Sequence, residues 1–202
     1  MALNIFVTGV GGQGTVTLCD LLAERALERG LGISCFHSRG MTHRGGRVSG
    51  EVRIAQREAE SFGPRICAGG ADLMIGLELA ELANSFSFLR EGGLVIAVNE
   101  ACIPAAAVLG KEAFPGLQEV RELFSRKTEH LYAAVEPLQP VNLFALGFLA
   151  AVIPPGFDPQ RLFRPHDLER TIRARLKKNT EENLSIFGKG VDYGKKQRPG
   201  SR

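Results

Sequence analysis

Leu3-Asn4-Ile5-Phe6-Val7-Thr8-Gly9-Val10-Gly11-Gly12-Gln13-Gly14 decides the fold. An apolar run, a glycine cluster and then a helix-spaced pattern read as a buried strand, a tight turn and a helix. The glycines satisfy G-x-G-x-x-G at Gly9, Gly11 and Gly14, a pattern that carries weight only between a strand and a helix. A helix start presents unpaired N–H groups and the positive end of its dipole, so it can hold an anion. Two readings of the turn follow. Gly9, Gly11, Gly12, Gln13, Gly14 and Thr15 form a contact for an anionic ligand or a partner, or the glycines serve packing alone. The Gln13 amide has the same choice, a partner or the loop itself.

Downstream, Val16, Cys19, Leu22, Ala23, Ala26 and Leu27 recur at helical spacing and Gly30 sits where a left-handed cap ends the helix. Ile33–Phe36 reads as a second strand, completing a strand–helix–strand unit. Val48, Gly50, Val52 and Ile54 alternate with Ser49, Glu51 and Arg53, the mark of a half-exposed strand in an antiparallel or edge position. Residues 72–77 and 94–98 give two further apolar strands. Between them Leu79, Leu82, Ala83, Phe86 and Leu89 predict a helix closed by Gly92-Gly93. Helix is expected within 105–126, broken at Pro115-Gly116, then a strand at 131–135 and helices at 142–152, 168–178 and 180–187. The expected fold is α/β: a Rossmann-like layered domain with a mostly parallel sheet, an antiparallel or edge strand and helical C-terminal segments. Residues 1–188 form that single domain, and 189–202 a basic, mobile tail.

Of 202 residues 44% are hydrophobic, enough for a real core. Net charge is +3, and the last fourteen residues hold five basic side chains against Asp192 alone. The rest of the chain is therefore close to neutral, which gives no support to a nucleic-acid partner. Cys19, Cys35, Cys67 and Cys102 lie far apart with no C-x-x-C, so neither an iron–sulfur cluster nor a zinc site is expected from this chain alone. No signal-peptide pattern is visible, and the apolar stretch near 141–153 is shorter than the ~20 residues of a membrane span. A reducing, cytoplasmic setting and no membrane contact are expected.

A second loop draws attention. Arg39, His43, Arg44 and Arg47 fall within nine residues, among Gly40, Gly45 and Gly46. Folded over the first loop, they would lie at the carboxyl ends of the strands, where open α/β sheets bind ligands. Arg44 would then suit a carboxylate or phosphate; the alternative is a solvated cap on the sheet. A dinucleotide site wants an acidic residue at the end of the second strand. Here Cys35-Phe36-His37-Ser38-Arg39 has none, which disfavours NAD and leaves Arg39 for an NADP phosphate. Glu78 either reaches the cleft or serves the helix dipole that follows it. No residue qualifies as catalytic, and no metal-ligand spacing occurs.

Taken together, Gly11-Gly12-Gln13-Gly14, then Gly40-Met41-Thr42-His43-Arg44-Gly45-Gly46 with Val52-Arg53-Ile54, resemble the gamma-type subunit or domain of 2-oxoacid:ferredoxin oxidoreductases. Residues 69–78, Gly92-Gly93-Leu94-Val95-Ile96 and, more loosely, 142–147 continue the likeness, which is nearest to the beta subunit of the indolepyruvate enzymes. The resemblance implies a small subunit without a redox centre, supporting oxidative decarboxylation of a 2-oxoacid to an acyl-coenzyme A with ferredoxin reduction. It also implies a large alpha subunit carrying thiamine diphosphate, magnesium and 4Fe-4S clusters, coenzyme A as co-substrate, and ferredoxin reached through the complex. The isolated chain is then inactive. A stand-alone NADP-dependent oxidoreductase and a non-catalytic interaction module are the rival readings.

Overall fold

In the computed structural model, residues 2–40, 46–55, 63–99, 114–158 and 160–197 are described, without the Arg39 side chain. Six strands form one sheet: β1 (Leu3–Val10), β2 (Ile33–Arg39), β3 (Arg47–Ile54), β4 (Ala71–Gly76), β5 (Leu89–Asn99) and β6 (Leu131–Val135). Their order is β2-β3-β1-β4-β5-β6. β1, β4, β5 and β6 are mutually parallel, and β3 runs antiparallel to both its neighbours. The parallel strands β1, β4 and β5 are apolar on both faces because helices cover both.

One face carries α1 (Thr15–Leu27), α4 (Val141–Val152), α5 (Pro165–Arg175) and α6 (Thr180–Gln197). They pack on Ile5, Val7, Val52, Leu73, Ile75 and Ile96. The opposite face is thinner. There α2 (Leu79–Asn84), a short 3-10 turn (Phe86–Phe88) and α3 (Leu117–Phe124) cover Phe6, Met74, Val95 and Ala97.

The alternating strand is antiparallel as expected, but it is no edge. β3 lies between β1 and β2, pairing Phe6 and Phe36 with Glu51 from the two sides. Its polar face is closed by the 63–66 segment. Glu51, 2% exposed, accepts a 2.8 Å hydrogen bond from Arg65 Nε and another from the Ile66 amide. The Arg65 guanidinium also stacks 4.2 Å over the Phe36 ring.

The helix expected to run from Leu79 to Gly92 is cut short at Asn84. The Ser85 hydroxyl donates to the Glu81 carbonyl, and Phe88 then stacks on Phe6 with ring centroids 4.4 Å apart. These contacts draw the chain onto the sheet, where Gly92 (φ 65°) and Gly93 form an irregularity inside β5 rather than a helix end. The helix of 105–126 is found over Leu117–Phe124; residues 100–113, with Cys102, lie outside the described residues.

At the C-terminus the expected tail is a correction: α6 continues to Gln197, with Gly190, Val191 and Gly194 buried. Its glycines allow close approach to α4, a helix whose twelve residues are all buried. A Cβ at Gly190 would lie 2.2 Å from the Phe144 carbonyl oxygen, and one at Gly194 would lie 2.6 Å from the Ala151 Cβ. From α4, a Cβ at Gly147 would strike the Phe187 carbonyl at 2.0 Å. Glycine composition resembled that of a linker, but its cause is helix packing.

Arg25, 1% exposed, ties α1 to α5. It donates to the Leu162 carbonyl (3.1 Å), Glu28 (2.9 Å) and Asp167 (2.9 Å), while the Thr171 hydroxyl donates to Glu28. A buried guanidinium is tolerated because each of its three nitrogens meets an oxygen and two of those oxygens are carboxylate.

Urea unfolding tests this packing. Gly190→Ala should destabilise by about 1 kcal/mol, since overpacking against backbone (~1–3 kcal/mol) exceeds the ~1 kcal/mol gained in helix propensity. Gly188→Ala, where a Cβ meets nothing within 4 Å, should stabilise by up to ~1 kcal/mol. Arg25→Ala should cost about 2–4 kcal/mol, and Arg25→Met less, because the stem is kept and both acids reach water. Equal melting of Gly190→Ala and Gly188→Ala would remove the close-packing account.

Candidate functional site

The glycine turn joins β1 to α1 at the carboxyl edge of the parallel strands. Gln13, buried, braces it from inside: its Oε1 accepts from the Val10 amide (2.8 Å) and its Nε2 donates to the Leu77 carbonyl after β4 (3.2 Å). Gly9 is required by this brace, since a Cβ there would lie 2.5 Å from Gln13 Oε1. Gly14 (φ 76°) is the residue before α1, in a left-handed conformation. The space its Cβ would need is filled by the Asn142 carboxamide, whose Nδ2 donates to the Gly14 carbonyl at 3.3 Å.

What remains outward is backbone. Gly11 and Gly12 are exposed, and Gly12 (φ 103°) has nothing within 4 Å of where a Cβ would be. The start of α1 has no side-chain cap and no acidic residue in its first turn. The Thr15 hydroxyl is buried and has no hydrogen-bond partner among the described residues, as is true of Thr8 nearby in β1. This is the open helix start the glycine spacing pointed to.

The second loop is the connection of the β2–β3 hairpin. Antiparallel pairing of Arg39 with Val48, and the Gly40 amide on the Arg47 carbonyl (2.7 Å), bring its ends together. The Gly11 amide donates to the Gly46 carbonyl at 2.9 Å, so the two loops share one edge and touch through backbone. His43, Arg44 and Gly45, like the Arg39 side chain, lie outside the described residues. Arg47, at the base, reaches the opposite sheet face: Nη2 donates to the Ser85 hydroxyl (3.0 Å) and Nε lies 3.4 Å from Glu81. Burial pushes the Glu81 carboxyl up, against the pull of Arg47, and Glu78 adds to the rise.

Glu78 is a helix acid. It is 1% exposed, and its carboxylate accepts from the Ala80 and Glu81 amides at 2.8 and 2.7 Å. Asn142 is the residue that sequence reasoning passed over as a site member; it stood in plain view as the polar start of an apolar helix. The NADP reading fails on topology. A dinucleotide fold sets its first two strands side by side. Here β3 separates them, and two strand spacings of ~4.8 Å place β2 about 10 Å from β1.

Comparison with known proteins agrees with this architecture. The family model described as pyruvate ferredoxin/flavodoxin oxidoreductase matches residues 4–193. Indolepyruvate oxidoreductase subunit IorB of Archaeoglobus fulgidus is 41% identical over 120 residues, covering 59% of this chain and 58% of that protein. The subunit of the same name from Pyrococcus horikoshii is 29% identical across 95% of this chain and 96% of its own length. Two solved structures share the fold. Pyruvate oxidoreductase subunit PORC of Thermotoga maritima has a TM-score of 0.64 at 18% identity, covering 95% of this chain and 96% of that one. The 2-oxoglutarate:ferredoxin oxidoreductase of Magnetococcus marinus, solved with 2-oxoglutarate, coenzyme A and succinyl-CoA, has a TM-score of 0.64 at 19% identity. It is covered over 31% of its length, against 96% of this chain. With residues 4–193 matched, from the first strand into the last helix, the chain belongs to the pyruvate ferredoxin/flavodoxin oxidoreductase family.

Proposed function

We propose that this chain is the small subunit of a 2-oxoacid:ferredoxin oxidoreductase that uses indolepyruvate or another aryl pyruvate. The Pyrococcus horikoshii relative, matched over 96% of its length, bears the indolepyruvate oxidoreductase name. The observation that carries the reading is the bond between the two loops, Gly11 amide to Gly46 carbonyl, at the edge where the start of α1 stands uncapped. Glycine backbone, rather than side chains, forms the tip, and that suits close approach by another polypeptide or by an anionic ligand.

In this reading a large alpha subunit holds thiamine diphosphate, magnesium and 4Fe-4S clusters, which supply the carbon–carbon cleavage and electron transfer. Ferredoxin takes the electrons from the complex, and coenzyme A is the co-substrate, as it is for the Magnetococcus enzyme solved with it. Among the described residues, no group of three or more His, Cys, Asp or Glu side chains is placed to hold a metal. Residues 9–15 and 39–47 face the partner, its cofactor or coenzyme A, and the chain works in the cytoplasm. The chain's own contribution is to shape that edge and close it against water, with Arg44 supplying positive charge.

The test is reconstitution. The purified chain alone should contain no iron and should not oxidise indolepyruvate; turnover by it alone would end the proposal. In the assembled complex, Arg44→Ala should lower kcat/KM by about tenfold, the size of one lost charge-assisted contact, with no change in the melting temperature of the subunit.

A further inference from the structure

We propose that a pocket at the far end of α4 binds an amphipathic small-molecule anion, an aryl carboxylate held by Arg161 and Arg164. The pocket measures about 710 Å³ and lies between the last turn of α4, the start of β6 and the turn that leads into α5. α4 begins at the glycine turn and ends here, so the two places are some 18 Å apart along its twelve residues. This volume is in the usual range for small-molecule sites, ~300–1,000 Å³, which combine apolar walls with a few polar groups.

The walls fit a ring. Tyr132, Pro154 and Pro155 line it with the buried Ile153 and Phe163 behind them, and the three front rings offer apolar area at little entropic loss. The charge fits a carboxylate. Arg161 and Arg164 line the pocket, both exposed, and neither forms an ion pair within the described residues. The eleven-residue α5 starts at Pro165 with no side-chain cap, adding its positive end to the same wall.

Among the described lining residues the one acid, Asp158, has both carboxylate oxygens engaged by backbone amides. Its Oδ1 accepts from the Leu162 amide at 2.6 Å and its Oδ2 from the Phe163 amide at 3.1 Å. Burial also pushes its carboxyl up, opposed by those two amides and by the charges of Arg164 and Arg25. The turn it closes holds Arg161 at φ 53°. A non-glycine residue in that region is uncommon, and such positions gather at ligand sites.

Fluorescence titration of the full chain with 8-anilinonaphthalene-1-sulfonate, an aryl anion, tests the assignment. One site is expected, from which 3-phenylpropionate displaces the probe. The R161Q/R164Q double variant should weaken both ligands by about tenfold, while R161K/R164K, which keeps the charge, should lose much less. Unaltered binding by R161Q/R164Q, or no displacement by 3-phenylpropionate, overturns the proposal. So does loss of the probe site on assembly with a large subunit, which would make the pocket a protein interface. The isolated chain suffices for the first two outcomes, so they stand apart from the proposed function.

Discussion

Helix α4 has no solvent face, and much of the molecule is arranged to cover it. All twelve of its residues are buried, and a helix apolar on every side needs neighbours on every side. The sheet supplies one, α1 and α5 supply flanks, and α6 closes the last. That last contact demands glycine at positions 147 and 190, because backbone meets backbone there. Asn142 is the polar exception in α4. It lies in the first turn and bonds the Gly14 carbonyl. The packing of the core therefore extends into the geometry of the glycine turn.

The second constraint is the placing of β3. Inserted antiparallel between β1 and β2, it places Gly40 and Gly46, the two ends of the connection, at the edge where β1 ends. A parallel unit with β1 beside β2 would offer that edge only the turn before α1. Insertion of one strand brings a second, basic loop against the first and moves the end of β2 out of reach of a nucleotide ribose. The same topological change removes one function and permits another.

Much of this was legible in the residues. Periodicity located β1, α1 and α4 to within a residue or two, because each is long, apolar and has glycine or proline at or near its ends. It failed where glycine had a job that composition does not reveal. Gly92-Gly93 belong to an irregular strand and Gly190 and Gly194 to a packed helix, yet both pairs read as breakers; for the helix pair the atoms that require glycine, on Phe144, Phe148 and Ala151, lie far away in sequence. The position of β3 was half legible: alternation shows an antiparallel strand with one polar face, but it cannot show that Arg65 arrives to cover Glu51. Among the site residues, glycine spacing revealed the turn. Its link to Gly46 and to Asn142 is a matter of tertiary contact.

Packing and binding were posed as alternatives for the glycine turn, and Gln13 shows that they are not. Its amide is consumed within the fold, accepting from Val10 and donating to Leu77. That use fixes the turn to β4, and at the tip Gly12 has nothing within 4 Å of where a Cβ would be. A longer or looser turn would bury its own amides or need water to satisfy them. A braced one can present backbone N–H groups to a partner already oriented, with little ordering left to be done on contact. The internal brace is thus the physical reason that an exposed glycine tip can serve as a contact surface.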